Sequence, residues 1–372
     1  MPKDKENLPQ ENSGCPPLRE LYFYLTDGCN LACRHCWLAP GYDKNGDKSR
    51  FLPKATFAAV IDEALPLGLT AVKLTGGEPL LHPEFVELVR MVAAKNLRLN
   101  VETNGLLCDA AIAGEIAQLP QKSVAVSLDG VNAATHDRIR GVPGAFEKTC
   151  AAVRHLAGAG VAPQIIMTVM AANVDQVEPM IVLAENLGAG SVKFNVVQPT
   201  ARGESLYKDS LALDIKDVID LGERVQQQLA GQTGLKVFFD FPMAFRSLKS
   251  MFYGGGCSVC GILGILGVLA DGHYALCGIG SHLPELVFGE AGKDPLAEVW
   301  RDNKVLKAIR EGLPARLEGV CSRCLMKRRC LGACLAQNYY RHRNLWAPYW
   351  FCEMAEAAGL FPPSRLVPAG KF

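Results

Sequence analysis

The sequence predicts an α/β protein, a partial (β/α)6 TIM barrel followed by a small cysteine-rich C-terminal domain. From residue 19 to about residue 200, short apolar runs alternate with longer stretches of helical periodicity. Such alternation is typical of a parallel sheet covered by helices. Eight of the 14 cysteines lie between residues 257 and 352. The predicted parts are a frayed start at 1–18, the barrel at 19–205, a bridging region at 206–250, the cysteine-rich domain at 251–356 and a tail at 357–372.

Six strands and five helices make up the predicted barrel. The strands are expected at Leu21–Thr26, Ala71–Thr75, Arg98–Thr103, Ser123–Leu128, Pro163–Val169 and Ser191–Val197. The helices are expected at Pro53–Leu65, Pro83–Asn96, Asp109–Leu119, Ala145–Ala159 and Val174–Leu187. Because barrels and open α/β sheets place their chemistry after the strands, we expect the functional residues on the loops that follow them.

Beyond the barrel, the pattern predicts a bridging helix and a hairpin. Leu211–Leu229 has the periodicity of an amphipathic helix, and Val237–Asp240 is a short strand. The three glycines Gly254–Gly256 mark a break. Gly261–Ala270 reads as a buried strand, and the Asp271-Gly272 pair after it is a hairpin turn.

The composition restricts the class of protein. Of 372 residues, 49% are hydrophobic, and the formal net charge is +1. These values give no sign of disorder, of a nucleic-acid-binding surface or of a polybasic membrane patch. The polar N-terminus has no signal-peptide core, and the longest apolar run is far shorter than the roughly 20 residues that span a bilayer. We therefore expect a cytoplasmic protein with no nucleic-acid or membrane partner.

Three cysteines, Cys29, Cys33 and Cys36, follow the first predicted strand with CxxxCxxC spacing. A disulfide would leave an odd thiol, and this chain carries no export signal. Zinc prefers four ligands, with His35 as the available fourth. A 4Fe–4S cluster held by three thiolates would keep one iron open for a small molecule. The cluster and the zinc site both remain open at this point.

Polar and glycine-rich loops follow the next strands. The second strand ends in Gly76-Gly77-Glu78-Pro79, where two glycines permit close backbone approach and Glu78 supplies a carboxylate. Asn104 follows the third strand, and Ser127 and Asp129 end the fourth. Arg140 lies further along, and Asn195, Val196, Val197 and Gln198 end the sixth strand. Taken one at a time, each is equally typical of an ordinary turn, a cap or a surface ion pair.

CxxxCxxC and GGEP on successive strand ends resemble the radical S-adenosylmethionine (SAM) enzymes. One departure is His35, where that family usually has an aromatic residue. The resemblance implies that Cys29, Cys33 and Cys36 bind a 4Fe–4S cluster and that GGEP holds the methionine amino group of SAM. It further implies SAM contacts for the following residues: Gly76, Gly77, Glu78, Pro79, Asn104, Ser127, Asp129, Arg140 and Val196.

The later cysteines show a second pattern: Cys260-x11-Gly272-x4-Cys277, then CxxCx5Cx3C over Cys321–Cys334, then Cys352. Two zinc ions are the simpler alternative. The pattern resembles the SPASM extension of radical SAM proteins. That resemblance implies two auxiliary 4Fe–4S clusters, one held by Cys257, Cys260, Cys277 and Cys334, the other by Cys321, Cys324, Cys330 and Cys352. The leftover thiols Cys15, Cys108 and Cys150 are interpreted as small buried hydrophobic residues.

The resemblance implies an enzyme that reductively cleaves SAM to a 5′-deoxyadenosyl radical and abstracts hydrogen from a substrate. SPASM proteins are mostly maturases of ribosomally made peptides or proteins, forming thioether, carbon–carbon or oxidised side-chain products. We expect auxiliary clusters that transfer electrons, a reductant such as flavodoxin or ferredoxin, and a separate leader-binding protein where a leader is used. Gly278 stands where sulfatase-maturing members have Asp. No catalytic residue is predicted.

Two other functions remain open at the sequence level. One is a radical SAM enzyme acting on a non-peptide substrate, such as a tetrapyrrole or a sugar. The other is a non-catalytic metal-binding or electron-transfer module, which absence of SAM cleavage would favour.

Overall fold

The computed structural model describes residues 15–247, 251 and 260–367. Its β-strands are β1 (Glu20–Tyr24), β2 (Gly28–Cys29), β3 (Gly41–Tyr42), β4 (Ala71–Thr75), β5 (Arg98–Thr103), β6 (Lys122–Ser127), β7 (Gln164–Val169), β8 (Ser191–Val196), β9 (Lys236–Phe239), β10 (Ile265–Val268), β11 (His273–Ala275) and β12 (Val287–Glu290). Ten of them form one sheet in the order β12-β11-β10-β1-β4-β5-β6-β7-β8-β9, while β2 and β3 pair separately.

The α-helices of the described residues cover the sheet and build the C-terminal part. They are α1 (Lys54–Ala64), α2 (Phe85–Ala94), α3 (Ala110–Ala117), α4 (Ala133–Arg140), α5 (Ala145–Gly158), α6 (Val177–Asn186), α7 (Arg202–Lys208), α8 (Ile215–Gln227), α9 (Leu296–Asp302), α10 (Lys304–Gly312), α11 (Gly319–Arg323), α12 (Lys327–Cys330), α13 (Leu335–His342) and α14 (Trp350–Ala357). No helix in the described ranges is long and apolar enough to cross a membrane.

The predicted barrel is confirmed element by element. All six strands and all five helices are present, with ends within three residues of those predicted. The structure adds α4, which the sequence pattern missed. Asn132 caps its N-terminus by accepting a hydrogen bond from the Thr135 N–H (2.9 Å), and Gly141 ends it in the left-handed conformation (φ 77°).

The sheet continues beyond the six predicted strands on both sides. β9 is the short strand predicted at Val237–Asp240, and it pairs parallel to β8. On the other side, β10 pairs parallel to β1, with Glu20 opposite Ile265. β10 and β11 form the predicted antiparallel hairpin, whose turn contains Gly272 at φ 88°. The C-terminal hairpin is therefore part of the same sheet as the barrel strands.

The strands of the barrel alternate between an apolar outer face and a polar inner face. In β4, Val72 and Leu74 are fully buried against the helices, whereas Lys73 between them is only partly buried. In β8, Val192 and Phe194 are fully buried while Lys193 is partly buried. Successive side chains of a strand point to opposite faces, so the lysines face the interior of the barrel.

Candidate active site

The cysteine loop leaves the C-terminal end of β1, as predicted. Cys29 ends β2, and its thiol accepts a hydrogen bond from the Leu31 N–H (3.4 Å). The three thiols of the loop share one apolar patch with Leu31 and Ala145. Burial raises the pKa of Cys29, and the nearby Glu78, Cys33 and Cys36 raise it further. The structure therefore brings the three thiols together against one apolar surface.

The GGEP segment after β4 packs directly on this loop. The Gly77 N–H donates to the Thr26 carbonyl (2.9 Å), and the Glu78 N–H donates to the Gly28 carbonyl (3.0 Å). A β-carbon at position 77 would overlap the Gly28 carbonyl, and Gly76 adopts a φ of 128°. Both glycines are therefore required by the contact between the two loops.

Glu78 ties the ends of β4 and β5 together. Its carboxylate accepts hydrogen bonds from the Thr103 hydroxyl (2.6 Å), the Asn104 N–H (2.8 Å) and the Leu80 N–H (3.1 Å). Burial raises the pKa of Glu78 to about 7 against the opposing effect of these donors. Pro79 starts the short 3-10 turn that follows. Through these hydrogen bonds, Glu78 holds the loops after β4 and β5 in place.

Asn104 reaches from β5 into the cysteine loop. Its side-chain N–H groups donate to the Asn30 side-chain oxygen (2.7 Å) and approach the Cys29 sulfur (3.8 Å). This contact, which sequence spacing could not reveal, places Asn104 beside the thiols.

Asp129 and Arg140 form a buried ion pair beside the same loop. Arg140 Nε lies 2.7 Å from Asp129 Oδ2, and Arg140 Nη1 lies 3.6 Å from the Cys33 sulfur. The Thr168 N–H donates to Asp129 Oδ1 (2.8 Å). Burial alone would raise the pKa of Asp129, but Arg140 and His35 outweigh it and lower that pKa. The family resemblance implied SAM contacts for both residues; in the structure Arg140 contacts the Cys33 sulfur, and Asp129 pairs with Arg140.

His35 completes this cluster. Its Nε2 atom lies 3.5 Å from Asp129 Oδ2, and burial lowers the pKa of the imidazole to about 4. The buried Nδ1 atom has no hydrogen-bond partner among the described residues. His35 is thus turned toward Asp129, and its free nitrogen is available to a bound molecule.

Ser127 and Val196 lie further from the loop. They end β6 and β8, and within the described residues neither side chain forms a hydrogen bond to the cysteine loop. Next to Val196, the buried side-chain oxygen of Asn195 has no partner among the described residues. Ser127 and Asn195 lie on the inner faces of their strands, where an unpaired acceptor suits a polar ligand, whereas Val196 lies on the buried face of β8 with Val192 and Phe194.

Arg202, the first residue of α7, binds two backbone carbonyls of the cysteine loop. Its guanidinium donates to the Cys33 carbonyl (3.3 Å) and to the Pro40 carbonyl (2.6 Å). The sequence pattern does not reveal this role, because the two carbonyls that Arg202 binds lie more than 160 positions away. One side chain therefore holds the loop at two points on either side of Cys36.

The interior of the barrel carries a network of charges. Lys73 Nζ lies 2.8 Å from Glu102 Oε1 and 4.4 Å from the centre of the Tyr22 ring. Lys193 lies 3.4 Å from Asp240. Lys73 and, more weakly, Lys193 lower the pKa of Glu102, whose side chain is 46% exposed. An exposed charge network inside a barrel indicates a water-accessible lumen that can take a polar substrate.

A cleft of about 630 Å³ opens at the mouth of this lumen. Tyr24, Leu38, Gly76, Gly77 and His282 line it, so it lies between the cysteine loop and the segment after β11. Its volume falls in the range of small-molecule sites.

Gly278 packs against Tyr24 and Leu38, and a β-carbon there would overlap the Tyr24 ring. The structure therefore has no room for an Asp at this position without rearrangement.

The C-terminal thiols fall into two groups. Cys321, Cys324, Cys330 and Cys352 all line one apolar cavity. Cys260, Cys277 and Cys334 lie close enough together that each of the latter two raises the pKa of Cys260. Cys257, the predicted fourth member of this group, lies outside the described residues.

The arrangement of the cysteine thiols distinguishes a site for a single metal ion from a site for a four-iron cluster. In the described ranges, no three His, Cys, Asp or Glu side chains are placed to hold a single metal ion. A four-iron cluster makes a different demand, because each thiolate binds a different iron. Groups of buried thiols in apolar surroundings, as seen here, fit such a cluster.

The leftover thiols show no such grouping. Cys108 and Cys150 are each 4% exposed and belong to the main core, as predicted. Cys15 is only partly buried.

Comparison with known proteins identifies the family. Residues 23–184 match the sequence profile of the Radical SAM superfamily. The AdoMet-dependent heme synthase of Methanosarcina barkeri is 30% identical over 345 residues, which cover 86% of this chain and 92% of that protein. The chain belongs to the radical SAM superfamily. Membership implies SAM and a 4Fe–4S cluster as cofactors.

Other radical SAM proteins resemble the chain over most of its length. The mycofactocin maturase MftC of Mycobacterium tuberculosis is 28% identical over 356 residues, covering 94% of this chain and 86% of that protein. The PqqA peptide cyclase of Gluconobacter oxydans is 26% identical over 324 residues, covering 87% and 86%. Streptococcus suis SuiB, solved with its precursor peptide SuiA, has the same fold (TM-score 0.70, 17% identity, 91% of this chain and 76% of that one).

Proposed function

We propose that this radical SAM enzyme is a maturase of a ribosomally made peptide or protein. The observation that carries the proposal is the set of four thiols around one cavity, in addition to the three-thiol loop. Such additional thiol sets are the mark of the SPASM proteins, most of which modify peptides. The names maturase and peptide cyclase among the relatives support the same substrate class.

The three loop thiols Cys29, Cys33 and Cys36 would hold the cluster that binds SAM. When bound there, the cluster and SAM supply a 5′-deoxyadenosyl radical, which removes a hydrogen atom from the substrate. The donor set fits this group, because the thiols share an apolar patch and leave one iron without a protein ligand. Asn104 and Arg140 place hydrogen-bond donors beside Cys29 and Cys33, and such donors tune a cluster.

SAM itself would lie between the cysteine loop and the strand ends. The residues we assign to it are Gly76, Gly77, Glu78, Pro79, Asn104, Ser127, Asp129, Arg140 and Val196. The unpaired His35 Nδ1 and Asn195 Oδ1 atoms support a polar ligand at this place. Glu78 fixes the loops through three hydrogen bonds, so its contribution is positioning.

We assign Cys257, Cys260, Cys277 and Cys334 to one auxiliary cluster and Cys321, Cys324, Cys330 and Cys352 to another. With all four ligands supplied by the protein, neither cluster has an open iron for substrate, so the role that fits both is electron transfer. The electrons would come from a cytoplasmic reductant such as flavodoxin or ferredoxin. A separate leader-binding protein would present the substrate where the peptide carries a leader.

Anaerobic reconstitution tests the cofactor assignment. We expect about twelve irons per chain and release of 5′-deoxyadenosine with dithionite. A Cys29→Ala, Cys33→Ala, Cys36→Ala triple variant should retain about eight irons and lose SAM cleavage. Zinc in place of the last eight irons would remove the electron-transfer role, and absence of both iron and cleavage would overturn the proposal.

A tetrapyrrole is the second candidate substrate, because the relative at 30% identity is a heme synthase. Mass spectrometry separates the two. The reconstituted enzyme is incubated with SAM, dithionite and either a short peptide encoded beside its gene or a porphyrin. A mass change in the peptide supports the maturase. A mass change in the porphyrin alone would replace it with the tetrapyrrole reaction.

A further inference from the structure

One short segment connects a cluster cavity with the protein surface. Between Cys324 and Cys330, Met326 and Lys327 line the cavity that the four thiols share. The neighbouring Leu325 is 52% exposed, one of the large hydrophobic side chains that the structure leaves open to solvent. A single turn of chain therefore separates the thiols from bulk water.

The outer side of this segment is basic. Arg328 and Arg329 are exposed, and neither side chain forms a hydrogen bond or ion pair with another residue of the described chain. Lys327 donates to the Ser322 carbonyl (2.6 Å), and the nearby Arg323 is paired with Glu356. We call Leu325, Lys327, Arg328 and Arg329 the basic cap.

The basic cap stands out against the charge of the whole chain. The formal net charge of the protein is only +1, yet Lys327, which lines the cavity, is followed directly by two further cations, Arg328 and Arg329. A run of charges is often no more than a solvated surface. Here the charged residues lie beside an exposed leucine, and the segment lines the cavity of thiols that we assign to a redox centre. Both features suit a transient contact with a redox protein.

We propose that the basic cap is the docking surface for an acidic one-electron carrier protein of the flavodoxin or ferredoxin class. The inference rests on the proposed function, since it requires a redox centre behind Cys324 and Cys330. During exchange the reduced carrier loses one electron and the enzyme gains it. Encounters of redox proteins are small and electrostatically steered, which a patch of three cations and one apolar side chain provides.

A charge-reversal variant tests the docking surface. The reconstituted holoenzyme carrying Arg328→Glu and Arg329→Glu is compared with wild type for binding to a purified flavodoxin by calorimetry. We expect a loss of affinity of about tenfold or more at low salt, and a weaker dependence of affinity on salt. The matched control is Lys148→Glu with Arg154→Glu, two exposed and unpaired cations on α5 within the described chain. The control should bind as wild type does.

Electron exchange with small inorganic oxidants gives a second readout. The dithionite-reduced enzyme is mixed with hexacyanoferrate(III), an anion, or with tris(phenanthroline)cobalt(III), a cation, in a stopped-flow instrument. Charge reversal in the basic cap should slow oxidation by the anion and speed oxidation by the cation, each about threefold to tenfold. Equal rates in the variant, the control and wild type would overturn the inference.

Iron content separates the two proposals. If the charge-reversal variant and wild type both hold about twelve irons, unchanged flavodoxin binding contradicts the docking surface alone. If wild type fails to hold the last eight irons, the proposed function fails first. Should Arg328→Glu with Arg329→Glu impair folding, Arg328→Gln with Arg329→Gln removes the same cations without adding acids and should show about half the effect on the logarithm of the rate.

Discussion

Single side chains inside the barrel decide what the lumen can hold. Lys73 contacts Glu102 on the adjacent β5 and the Tyr22 ring on the adjacent β1, and is therefore part of a network, not a solvated surface charge. Successive side chains of a strand point to opposite faces. Because Val72 and Leu74 are buried against the helices, Lys73 between them points into the barrel.

The Lys73→Met variant tests this network. Removing the ammonium leaves Glu102 without its main partner, and we expect a loss of about 1 kcal/mol in the free energy of unfolding, limited by the partial exposure of Glu102. Chemical denaturation measures the change. Lys95→Met, which breaks an exposed pair with Asp62, is the control and should cost less than about 0.5 kcal/mol. Equal losses in both would mean that the lumen pair is no stronger than a surface pair.

Gly77 is a second residue whose replacement has a defined outcome. In Gly77→Ala, the new methyl group overlaps the Gly28 carbonyl, so the cysteine loop must move. We expect a loss of about 1–3 kcal/mol in stability together with weaker SAM binding by the reconstituted enzyme. Gly114→Ala in α3 meets no atom within 4 Å and should stabilise the chain by up to about 1 kcal/mol. SAM binding that stays at the wild-type level in Gly77→Ala would contradict the tight contact of the two loops.

At the scale of elements, α7 acts on the cysteine loop through its first residue. Arg202 binds the carbonyls of Cys33 and Pro40, on either side of Cys36. The helix therefore restricts the loop even though it contributes no cluster ligand.

The Arg202→Gln variant tests whether Arg202 restrains the cysteine loop. Without the two hydrogen bonds the loop opens more readily, and we expect iron at the three-thiol site to be lost to a chelator about tenfold faster. The rate is followed by the absorbance of the iron–chelator complex. Arg224→Gln, which breaks only a surface pair with Glu178, should leave the rate unchanged. If both variants lose iron at the same rate, α7 does not restrain the loop.

Strands and helices whose apolar residues repeat at a regular spacing were predictable from the sequence, and elements without such a repeat were not. The barrel strands and helices repeat apolar residues at strand or helix spacing, so their positions follow from the sequence. α4, with the sequence AATHDRIR, has no apolar stripe, and only its caps at Asn132 and Gly141 mark it.

The contacts of the site were harder to predict than its residues. The sequence shows Lys73 as a charged residue within an apolar strand. Its ion pair with Glu102, however, depends on the pairing of β4 with β5. Likewise, Cys334 is closest in sequence to Cys330, yet it lies beside Cys260. Spacing alone carries no information on such groupings, because they depend on how distant segments pack.

At the scale of the whole molecule, the thiol groups connect segments that are far apart in sequence. Cys321 and Cys352 face one cavity from α11 and α14, and Cys277 and Cys334 approach one another from separate turns. A bound cluster would therefore cross-link most of the region after residue 260.

Removal of iron should consequently affect this region more than the barrel. We expect the chelated protein to have a lower melting temperature and to be cleaved by protease first within residues 260–352, because metal binding contributes directly to the stability of the ligated fold. Mass mapping of the fragments from limited proteolysis checks this. Cleavage that begins between β4 and β8 would contradict it.

The pairing of β1 with β10 has a consequence for how the chain is made on the ribosome. β1 emerges early, but one of its two neighbours begins at Ile265. At about 5–20 residues per second, that edge stays open for roughly 10 to 50 seconds of synthesis. An open strand edge is a place where chains join one another, so nascent molecules are most exposed to aggregation before Ile265 appears. Slower translation, which lengthens this interval, should lower the yield of folded enzyme.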